Sequence, residues 1–397
     1  MKGNSFTQYL LCVAGFFCWS VSTAMAQHRL CIQLSAIPES HTADSIFVAG
    51  SFNGWQPGNA TFCFQKNKAG VFEMVLPSLA PGHYEFKFTR GSWSKVACAS
   101  SGNDMGNYHI ELHSDTTLTY SVAAWKDDFK QKPQVHSASP NVAVMDSAFY
   151  LPQLNRYRRI WVYLPPDYHK TKNRYPVLYM HDGQNLFDAA ASGFGEWGVD
   201  ECLDSLAVKR AFQYIVVGID NGPKRLNEYN PYNNPRFGPG EGEAYATFIA
   251  NTLKPYIDSA YRTLKDKNNT VIAGSSMGGL ISYYAALRYP QVFGKAGVFS
   301  PAFWTAKPQI FSFTDSVAAG NSGKFFFYMG GHEGEEYMQD MIDVLTGLGT
   351  RSSALIYTAV DTNGAHNETT WRKWLPEFIK FMSADWTNYI INARVDE

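Results

Sequence analysis

One stretch near the middle of the chain constrains the fold more than any other, the run Val271–Leu280 (VIAGSSMGGL). Its apolar, β-branched start is typical of a buried strand, and a helical pattern begins at Gly279. Between the two, Gly274 and Gly278 flank Ser276. Because a side chain at either glycine would collide with its neighbours in a tight turn, the pattern predicts a strand, a sharp turn and a helix, with the Ser276 hydroxyl at the apex.

The region from residue 144 to 397 alternates strand patterns with helix patterns. Near-continuous apolar runs at 175–179 and 214–219 are typical of buried parallel strands, and the runs 144–151 and 157–164 indicate an antiparallel pair at a sheet edge. Further strands are predicted at 297–299, 324–328 and 354–360, and helices at 201–212, 244–261 and 369–382. This alternation indicates a doubly wound, mostly parallel α/β sheet, and the serine turn after a central strand makes it an α/β-hydrolase arrangement.

The preceding region has an all-β pattern from residue 27 to 125. Short apolar runs alternate with turn residues at spacings suited to a β-sandwich. Strands are predicted at 30–34, 45–50, 61–65, 71–76, 84–89, 95–98, 108–112 and 118–122. The polar segment 126–143 contains two prolines and no periodicity, so it is predicted to be a linker. The sequence therefore predicts a small β-sandwich, a linker, and an α/β-hydrolase domain at 144–397.

The first 26 residues carry an export pattern. Lys2 precedes an apolar run at about residues 9–21, and the small-residue ending AMA follows at 24–26. This pattern is typical of a secretory signal peptide, cleaved here after Ala26, and the apolar run is too short to span a bilayer comfortably. The mature protein is expected to be secreted or periplasmic, with no membrane partner once the signal is removed.

Charge and cysteine content exclude some partners. The formal net charge of −1 does not favour a nucleic-acid partner. Outside the predicted signal the cysteines are Cys31, Cys63, Cys98 and Cys202. An oxidising compartment would allow one disulfide among the first three, and the sequence does not fix the pair. No cysteine or histidine spacing is typical of a zinc site, so no metal is predicted.

The partners of Ser276 follow from chain order. A serine hydroxyl becomes a good nucleophile when a base takes its proton, and an acid must hold that base in one tautomer. In this fold the serine is followed by the acid and then by the histidine. His332 and His366 are the two histidines that follow Ser276. His366 comes after the last predicted strand and before the last helix, so it is the predicted base.

The acid is needed in the loop that follows the strand 324–328. Glu333 is the first choice, since it stands nearest the strand end between glycines. Glu335 is the second choice and Asp361 the third. As metal ligands, His332, Glu333 and Glu335 would make a small cluster, but no second histidine has a useful spacing.

The tetrahedral oxyanion needs two N–H donors. Met277 offers one at a helix N-terminus. The loop 181–188 follows the first long buried strand and offers the other, with Gln184 N–H as the predicted donor because Gly183 lets the backbone fold under the substrate. His181 precedes the serine and is interpreted as a packing or loop-bracing residue.

Three motifs in this region resemble the putative-esterase family of α/β-hydrolases: YMHDGQNLFD at 179–188, GSSMGG at 274–279 and HNExxW at 366–371. The family contains feruloyl and acetyl-xylan esterases, enterobactin-type siderophore esterases, S-formylglutathione hydrolase and the mycolyltransferases. The resemblance covers 144–386 and implies an esterase without metal or cofactor. The family commonly carries an acidic residue at the position of Glu333.

Two phrases in the all-β region, FVAGSFNGW at 47–55 and GHYEFKFTRGSW at 82–93, resemble immunoglobulin-like sandwich modules related to starch- and glycogen-binding domains. Such modules bind sugars on exposed aromatic rings, because one face of a sugar is apolar. Trp55 and Trp93 are the candidates. Core or interdomain packing of both tryptophans, in a module that is only a spacer, is the alternative.

Two loops are expected to cover the catalytic site, since they follow strand ends. One contains the substrate-binding candidates Arg225 and Glu228. The other contains Trp304, which is predicted either to stack on an aromatic acyl group or a sugar, or to be plain packing.

These features predict a secreted serine esterase that removes feruloyl or acetyl groups from ester-decorated plant polysaccharide. The partner is an ester-bearing small molecule or polysaccharide. A siderophore esterase or an acyltransferase is the second hypothesis, although such an enzyme would gain little from a sugar-type module. A binding protein with an inert hydrolase domain is the third, and the set Ser276, Glu333 and His366 argues against it, since binding alone requires none of them.

Overall fold

The computed structural model describes residues 27–103, 105–129, 136–208 and 212–384. The predicted signal peptide lies outside these residues. The chain divides into two compact units, Met1–Lys130 and Gln131–Glu397. Within the described ranges, no helix is both long and apolar enough to cross a bilayer.

The first unit consists of strands joined by turns and short 3-10 segments. Its strands are β1 (Leu30–Ala36), β2 (Phe47–Gly50), β3 (Gln65–Lys66), β4 (Phe72–Val75), β5 (Gly82–Thr89), β6 (Ala97–Cys98), β7 (Tyr108–Leu112), β8 (Thr116–Ser121) and β9 (Ala124–Trp125). They form a four-stranded sheet in the order β3-β4-β1-β8, a three-stranded sheet in the order β2-β5-β7, and the pair β6-β9.

The two larger sheets contribute to one hydrophobic cluster. Ile32 and Leu34 of β1 lie in it together with Phe86 and Phe88 of β5. Because alternate residues of a strand point to the same face, each sheet buries one face in this shared core. Two sheets around one core agree with the all-β prediction, whereas the likeness to immunoglobulin-like modules stays a prediction.

One strand prediction for this unit is wrong in part. The first two residues of the strand predicted at 61–65 lie in the 3-10 turn Ala60–Phe62, because the Asn59 side chain accepts the Thr61 N–H at 3.0 Å and bends the chain. The disulfide that an oxidising compartment would allow among Cys31, Cys63 and Cys98 is not formed within the described residues.

The second unit is built on one sheet of eight strands. Its strands are β10 (Val142–Leu151), β11 (Arg156–Tyr163), β12 (Val177–His181), β13 (Ile215–Ile219), β14 (Thr270–Ser275), β15 (Lys295–Phe299), β16 (Lys324–Gly330) and β17 (Leu355–Asp361). The helices are α1 (Val199–Val208), α2 (Arg225–Glu228), α3 (Gly242–Phe248), α4 (Lys254–Ala260), α5 (Met277–Arg288), α6 (Gln309–Val317), α7 (Glu335–Arg351) and α8 (Glu368–Ser383). A π-helical segment, Ile249–Leu253, joins α3 to α4.

The strand order is β10-β11-β13-β12-β14-β15-β16-β17. The pair β10 and β11 is antiparallel at the edge, as predicted, and β11 is also antiparallel to β13. From β13 to β17 in this order, neighbouring strands are parallel. Both faces of the sheet are covered: Tyr179 of β12 lies in one hydrophobic cluster and Met180 in another. The carboxyl ends of the parallel strands therefore meet at one edge, where this type of sheet binds ligands.

The predicted linker 126–143 is shorter in the structure. Residues 126–128 form a 3-10 turn directly after β9, and 136–141 are part of the second unit. The Ser137 hydroxyl donates to Glu196 at 3.0 Å, and the Ser139 N–H donates to Asp200 at 2.7 Å. The polar composition that suggested a linker is therefore explained in part by serines that bind buried acids.

Candidate active site

Ser276 lies between β14 and α5 in a strained backbone conformation, with φ 58° and ψ −122°. Its N–H donates to the Phe299 carbonyl at 2.9 Å, and its carbonyl accepts the Ala302 N–H at 3.0 Å. A Cβ at Gly274 would lie 2.9 Å from the His181 ring, so the turn requires glycine there. A positive φ in a residue other than glycine is costly and persists where the surrounding structure holds it, as these two hydrogen bonds do.

His366 lies in the loop between β17 and α8. Its Nδ1 is 2.8 Å from Oε2 of Glu333, which follows the neighbouring strand β16. The His366 side chain is 46% exposed and that of Glu333 only 2%. The imidazole is thus accessible to a ligand, while its carboxylate partner is shielded from water. Because Nδ1 contacts Glu333, Nε2 is the ring nitrogen that would transfer a proton.

Hydrogen bonds fix the Glu333 carboxylate. Its Oε1 accepts from the Ser300 hydroxyl at 2.6 Å and from the Gly330 N–H at 2.8 Å. The Trp371 indole N–H donates to the same hydroxyl at 2.9 Å, and its ring packs edge-on against His366 with centroids 5.1 Å apart. Donors of this kind hold the carboxylate in place and thereby orient the histidine.

The two alternative acids have other surroundings. Asp361 accepts from the Lys373 ammonium at 2.8 Å and from the Trp374 indole at 3.1 Å, and the bond to Lys373 lowers the pKa of Asp361. Glu335 begins α7 and is exposed, as is His332. Of the three acids named from the sequence, Glu333 is the one whose carboxylate contacts His366.

The two predicted oxyanion donors follow neighbouring parallel strands, β14 and β12. Met277 is the first residue of α5, where a backbone N–H has no acceptor within the helix. Gln184 lies in a 3-10 turn directly after β12, and its side-chain oxygen accepts the Asn221 N–H at 3.1 Å. A Cβ at Gly183 would lie 2.8 Å from the Gly218 backbone. The glycine is therefore needed for close packing of this turn.

His181 is buried beneath the Ser276 turn, as expected for a bracing residue. Its Nδ1 is 3.1 Å from the Tyr245 hydroxyl, and its ring lies 5.2 Å from that of Tyr229. Burial lowers the pKa of His181 to about 3. The ring is therefore neutral at physiological pH.

Arg225 lies beside the serine turn, as the sequence suggested. Its Nε and Nη2 donate to the two Asp182 oxygens at 2.7 Å each, and Nη2 lies 3.5 Å from the Ser275 carbonyl. The side chain remains 26% exposed. The main partner of Arg225 is thus Asp182, and this bidentate ion pair stabilises the loop after β12.

The prediction that Glu228 binds substrate is wrong. Its side chain is fully buried and accepts from Arg156 at 2.7 Å and from Arg158 at 2.6 Å. Helix α2 turns Glu228 inward, toward arginines of β11, and a buried carboxylate requires such partners. The sequence could not reveal this, since the arginines lie far earlier in the chain.

Trp304 is half-buried and belongs to a row of aromatic rings. Its ring centroid is 6.0 Å from that of Phe237 and 6.2 Å from that of Tyr337. The next residue, Thr305, donates to the sulfur of Met277 at 3.5 Å. The row therefore lies close to the serine turn. Phe237 and Tyr337 were missed because neither stands in a motif or a periodic pattern.

Glu368 was also missed as a site residue. It lies two residues after His366, is 8% exposed, and accepts from the Asn185 amide at 3.4 Å. Burial, and to a smaller extent the nearby Asp182 charge, raise the pKa of Glu368 to about 7. Its place in the HNExxW motif was the available signal, but the pattern alone indicated only a helix start.

Trp55 and Trp93 are neighbours in the first unit. Both are half-buried, and their ring centroids lie 6.3 Å apart at an interplanar angle of 40°. They therefore form a continuous, partly exposed aromatic surface.

Comparison with known proteins covers the second unit most fully. Residues 152–382 match the model of a family described as Putative esterase. YbbA of Bacillus subtilis, described as uncharacterized, is 31% identical over 186 residues, which are 45% of this chain and 70% of YbbA.

Two relatives have named activities. The endo-1,4-β-xylanase/feruloyl esterase of Xylanibacter ruminicola is 28% identical over 219 residues, 54% of this chain and 28% of that protein. The iron(III) salmochelin esterase of Escherichia coli is 27% identical over 214 residues, 49% of this chain and 47% of that protein. The chain thus spans less than half the length of each of these two enzymes.

Among solved structures, the enterobactin esterase FES from Shigella flexneri superposes with a TM-score of 0.51. The match covers 87% of this chain and 89% of that chain at 17% identity. At this identity the match supports the fold alone.

Proposed function

This chain belongs to the family described as Putative esterase and is a carboxylic ester hydrolase, and from this premise we propose that it acts through Ser276 as nucleophile, His366 as base and Glu333 as acid. The observation that carries the proposal is the 2.8 Å contact between His366 Nδ1 and the Glu333 carboxylate. Both residues follow strands of the sheet that also presents the Ser276 turn. This is the order and placement that a serine triad requires.

The reaction proceeds in two steps. Ser276 Oγ attacks the ester carbonyl carbon while His366 Nε2 takes its proton, and the Glu333 carboxylate stabilises the imidazolium. Collapse of the tetrahedral intermediate breaks the bond to the alcohol oxygen, which receives the proton from His366. Water then attacks the acyl-enzyme by the same route and releases the acid and free Ser276.

Two backbone N–H groups are proposed to bind the oxyanion, those of Met277 and Gln184. Each lies in a turn that directly follows one of two neighbouring parallel strands. The N-terminus of α5 adds a partial positive charge at Met277. Preorganised donors of this kind account for about 10²–10³ in rate per donor.

Hydrolysis of p-nitrophenyl acetate by purified protein tests the triad. Ser276→Ala and His366→Ala should each lower kcat by about 10³-fold or more. Ser312→Ala and His332→Ala, at exposed positions, are matched controls and should keep wild-type rates. Unchanged hydrolysis in Ser276→Ala would exclude this nucleophile.

For the substrate we propose a feruloyl or acetyl ester of plant polysaccharide, met outside the cell after export. Three observations support it: the 28% identity to a xylanase/feruloyl esterase, the aromatic row at Trp304, and the export pattern at residues 1–26. A phenolic acyl group offers a flat apolar face that stacks on such rings. Arg225 is proposed to contact the substrate through its exposed edge.

A siderophore esterase, or an acyltransferase, is the second candidate, and the 27% identity to salmochelin esterase favours the former. Methyl ferulate, acetylated xylan and a catecholate triester separate the possibilities when kcat/KM is measured for each. The proposal expects ferulate or acetyl-xylan to be preferred by at least about tenfold, which corresponds to about 1.4 kcal/mol of transition-state binding. Preference for the triester would select the siderophore reading.

The first unit is proposed to bind the polysaccharide through Trp55 and Trp93. Their adjacent, half-exposed rings would stack on the apolar faces of sugar rings. A spacer without sugar affinity remains the alternative, and no part of the hydrolase mechanism depends on which of the two holds.

A further inference from the structure

Three carboxylates converge outside the catalytic site, at the start of α1. Glu196 precedes the helix, and Asp200 and Glu201 lie in its first turn. One oxygen from each lies within 4.8 Å of the other two. Oxygens that bind one Ca²⁺ lie at about 2.3–2.6 Å from it, and so no more than about 4.6–5.2 Å apart. The spacing therefore fits a single calcium ion.

Asp200 gives the second, independent indication. Its side chain is fully buried, and its Oδ2 accepts the Ser139 N–H at 2.7 Å. Its Oδ1 is buried without a hydrogen-bond partner among the described residues. An unpaired carboxylate oxygen in the interior is costly. No donor from the described residues satisfies this oxygen, and the Asp200 carboxyl belongs to the cluster.

The surrounding charges leave the cluster negative. Arg372 donates to Glu196 at 3.0 Å, and the Ser137 hydroxyl donates to the other Glu196 oxygen at 3.0 Å. The nearby His136 instead contacts Asp188, at 2.7 Å. Among the described side chains that bond to these acids, one guanidinium faces three carboxylates. With all three ionised, the cluster carries two negative charges, which one divalent cation would neutralise. Burial first, and the adjacent Glu201 carboxyl as well, raise the pKa of Asp200 to about 7.

We propose that Glu196, Asp200 and Glu201 bind Ca²⁺, a function separate from ester hydrolysis. Calcium takes 6–8 oxygen ligands in flexible geometry, so the three carboxylates and water would complete its shell. Magnesium fits less well, because it requires octahedral ligands at about 2.0–2.1 Å. Ser137 and Ser139 bond to the same carboxylates. The ion would therefore fasten residues 136–141 to the start of α1.

Thermal unfolding of the full-length protein, stripped with EDTA and then supplied with CaCl₂ or MgCl₂, tests the site. At a hundredfold excess over Kd, Ca²⁺ should raise Tm by about 5 °C or more, and Mg²⁺ by clearly less. Terbium bound at the site should emit when the tryptophans are excited, because Trp197 is next to Glu196 in the chain. Added Ca²⁺ should displace the terbium and suppress that emission. Asp200→Asn and Glu201→Gln should lose both effects. Glu201 is exposed, so its variant is expected to fold normally.

Two controls make the result specific. Glu336→Gln, at an exposed position of α7, should keep the full Ca²⁺ response. Ser276→Ala should also keep it, so that failure of the calcium site and failure of the proposed triad are told apart. The proposal is overturned if wild-type protein melts at the same temperature in Ca²⁺ and EDTA. It is equally overturned if Mg²⁺ raises Tm as strongly as Ca²⁺, or if Glu201→Gln keeps the Ca²⁺ response. In any of these cases the close approach of Asp200 and Glu201 would be explained by a proton that the two carboxyls share.

Discussion

The two oxygens of Glu333 have separate partners. Oε2 contacts His366, while Oε1 accepts from Ser300 and Gly330. A carboxylate held in this way cannot rotate away from the imidazole without losing hydrogen bonds in a buried site. The orientation of His366 therefore depends on side chains outside the proposed triad, among them Trp371 through its bond to Ser300.

Glu333→Gln should lower kcat on p-nitrophenyl acetate by about 10²–10⁴-fold, because an amide can hold the wrong histidine tautomer and cannot stabilise the imidazolium. Glu335→Gln, two residues away and exposed, is the matched control and should stay within about twofold of wild type. If Glu335→Gln is instead the more damaging of the two, the acid has been assigned to the wrong residue.

Glu368 should make stability depend on pH. Its pKa of about 7 lies above the ordinary glutamate value of 4.5, so the folded protein holds this proton more tightly than the unfolded chain does. The stabilisation is complete below pH 4.5 and is lost as pH rises through about 7. A shift of about 2.5 pKa units corresponds to a decrease in the free energy of unfolding on the order of 3 kcal/mol.

The check is urea unfolding at pH 5 and pH 8. Glu368→Gln cannot ionise, so the fall in unfolding free energy between the two pH values should shrink by that amount relative to wild type. Glu377→Gln, on the same helix but with a side chain 39% exposed, should reproduce the wild-type difference. An unchanged slope in Glu368→Gln would mean that this carboxyl is ionised in the folded protein already at pH 5.

At the residue scale, the sequence was informative where chain order fixes a role. The proposed roles of Ser276 and His366 follow from the order of strands, and the proposed acid was narrowed to three candidates. Glu228 and Glu368 were not interpretable in this way. Whether an acid binds substrate or lies buried depends on partners that are remote in sequence, such as Arg158 for Glu228.

Among the elements, the turn between β14 and α5 depends most on glycine. A Cβ at Gly274 would lie 2.9 Å from both the Gly278 backbone and the His181 ring, and one at Gly279 would lie 2.8 Å from the Phe299 carbonyl. These contacts are to backbone or to a fully buried ring, which cannot move aside cheaply.

Gly274→Ala should destabilise the protein by about 1–3 kcal/mol and reduce kcat, since the clash pushes the Ser276 turn away from its neighbours. Gly320→Ala is the matched control, because a Cβ there has no neighbour within 4 Å, and it should change stability by less than about 0.5 kcal/mol. Urea midpoints and rates on the same preparations give both quantities. Equal midpoints for the two variants would mean that the turn has room for a side chain.

The types of most strands and helices were predictable, because the pattern of buried and exposed positions along each element sets the periodicity of apolar residues in the sequence. Strands β12 and β13 are buried at every position and appear in the sequence as continuous apolar runs. The 3-10 turn Ala60–Phe62 was predicted as part of a strand, because the hydrogen bond from the Thr61 N–H to the Asn59 side chain produces no periodic pattern in the sequence. The segment 136–141 was assigned to a linker because its serines meet buried acids only in the folded chain.

At the scale of the whole molecule, the two units have separate cores. One hydrophobic cluster lies wholly in the first unit and two lie wholly in the second. A substitution on the surface of the first unit should therefore leave the chemistry of the second unchanged. This separation makes the role of the first unit testable without loss of the esterase.

The double variant Trp55→Ala/Trp93→Ala should hydrolyse p-nitrophenyl acetate at the wild-type rate but release acyl groups from insoluble ester-decorated xylan several-fold more slowly. Each ring stacked on a sugar is worth about 1 kcal/mol or more, so its loss lowers the fraction of enzyme held on the polymer. Tyr150→Ala/Tyr157→Ala removes a pair of exposed rings 5.1 Å apart on the second unit and serves as the matched control. Equal rates on xylan for wild type and the tryptophan variant would assign the first unit a purely structural role. A sugar-binding module must increase the rate on the insoluble polymer, and equal rates would show that the two tryptophans do not.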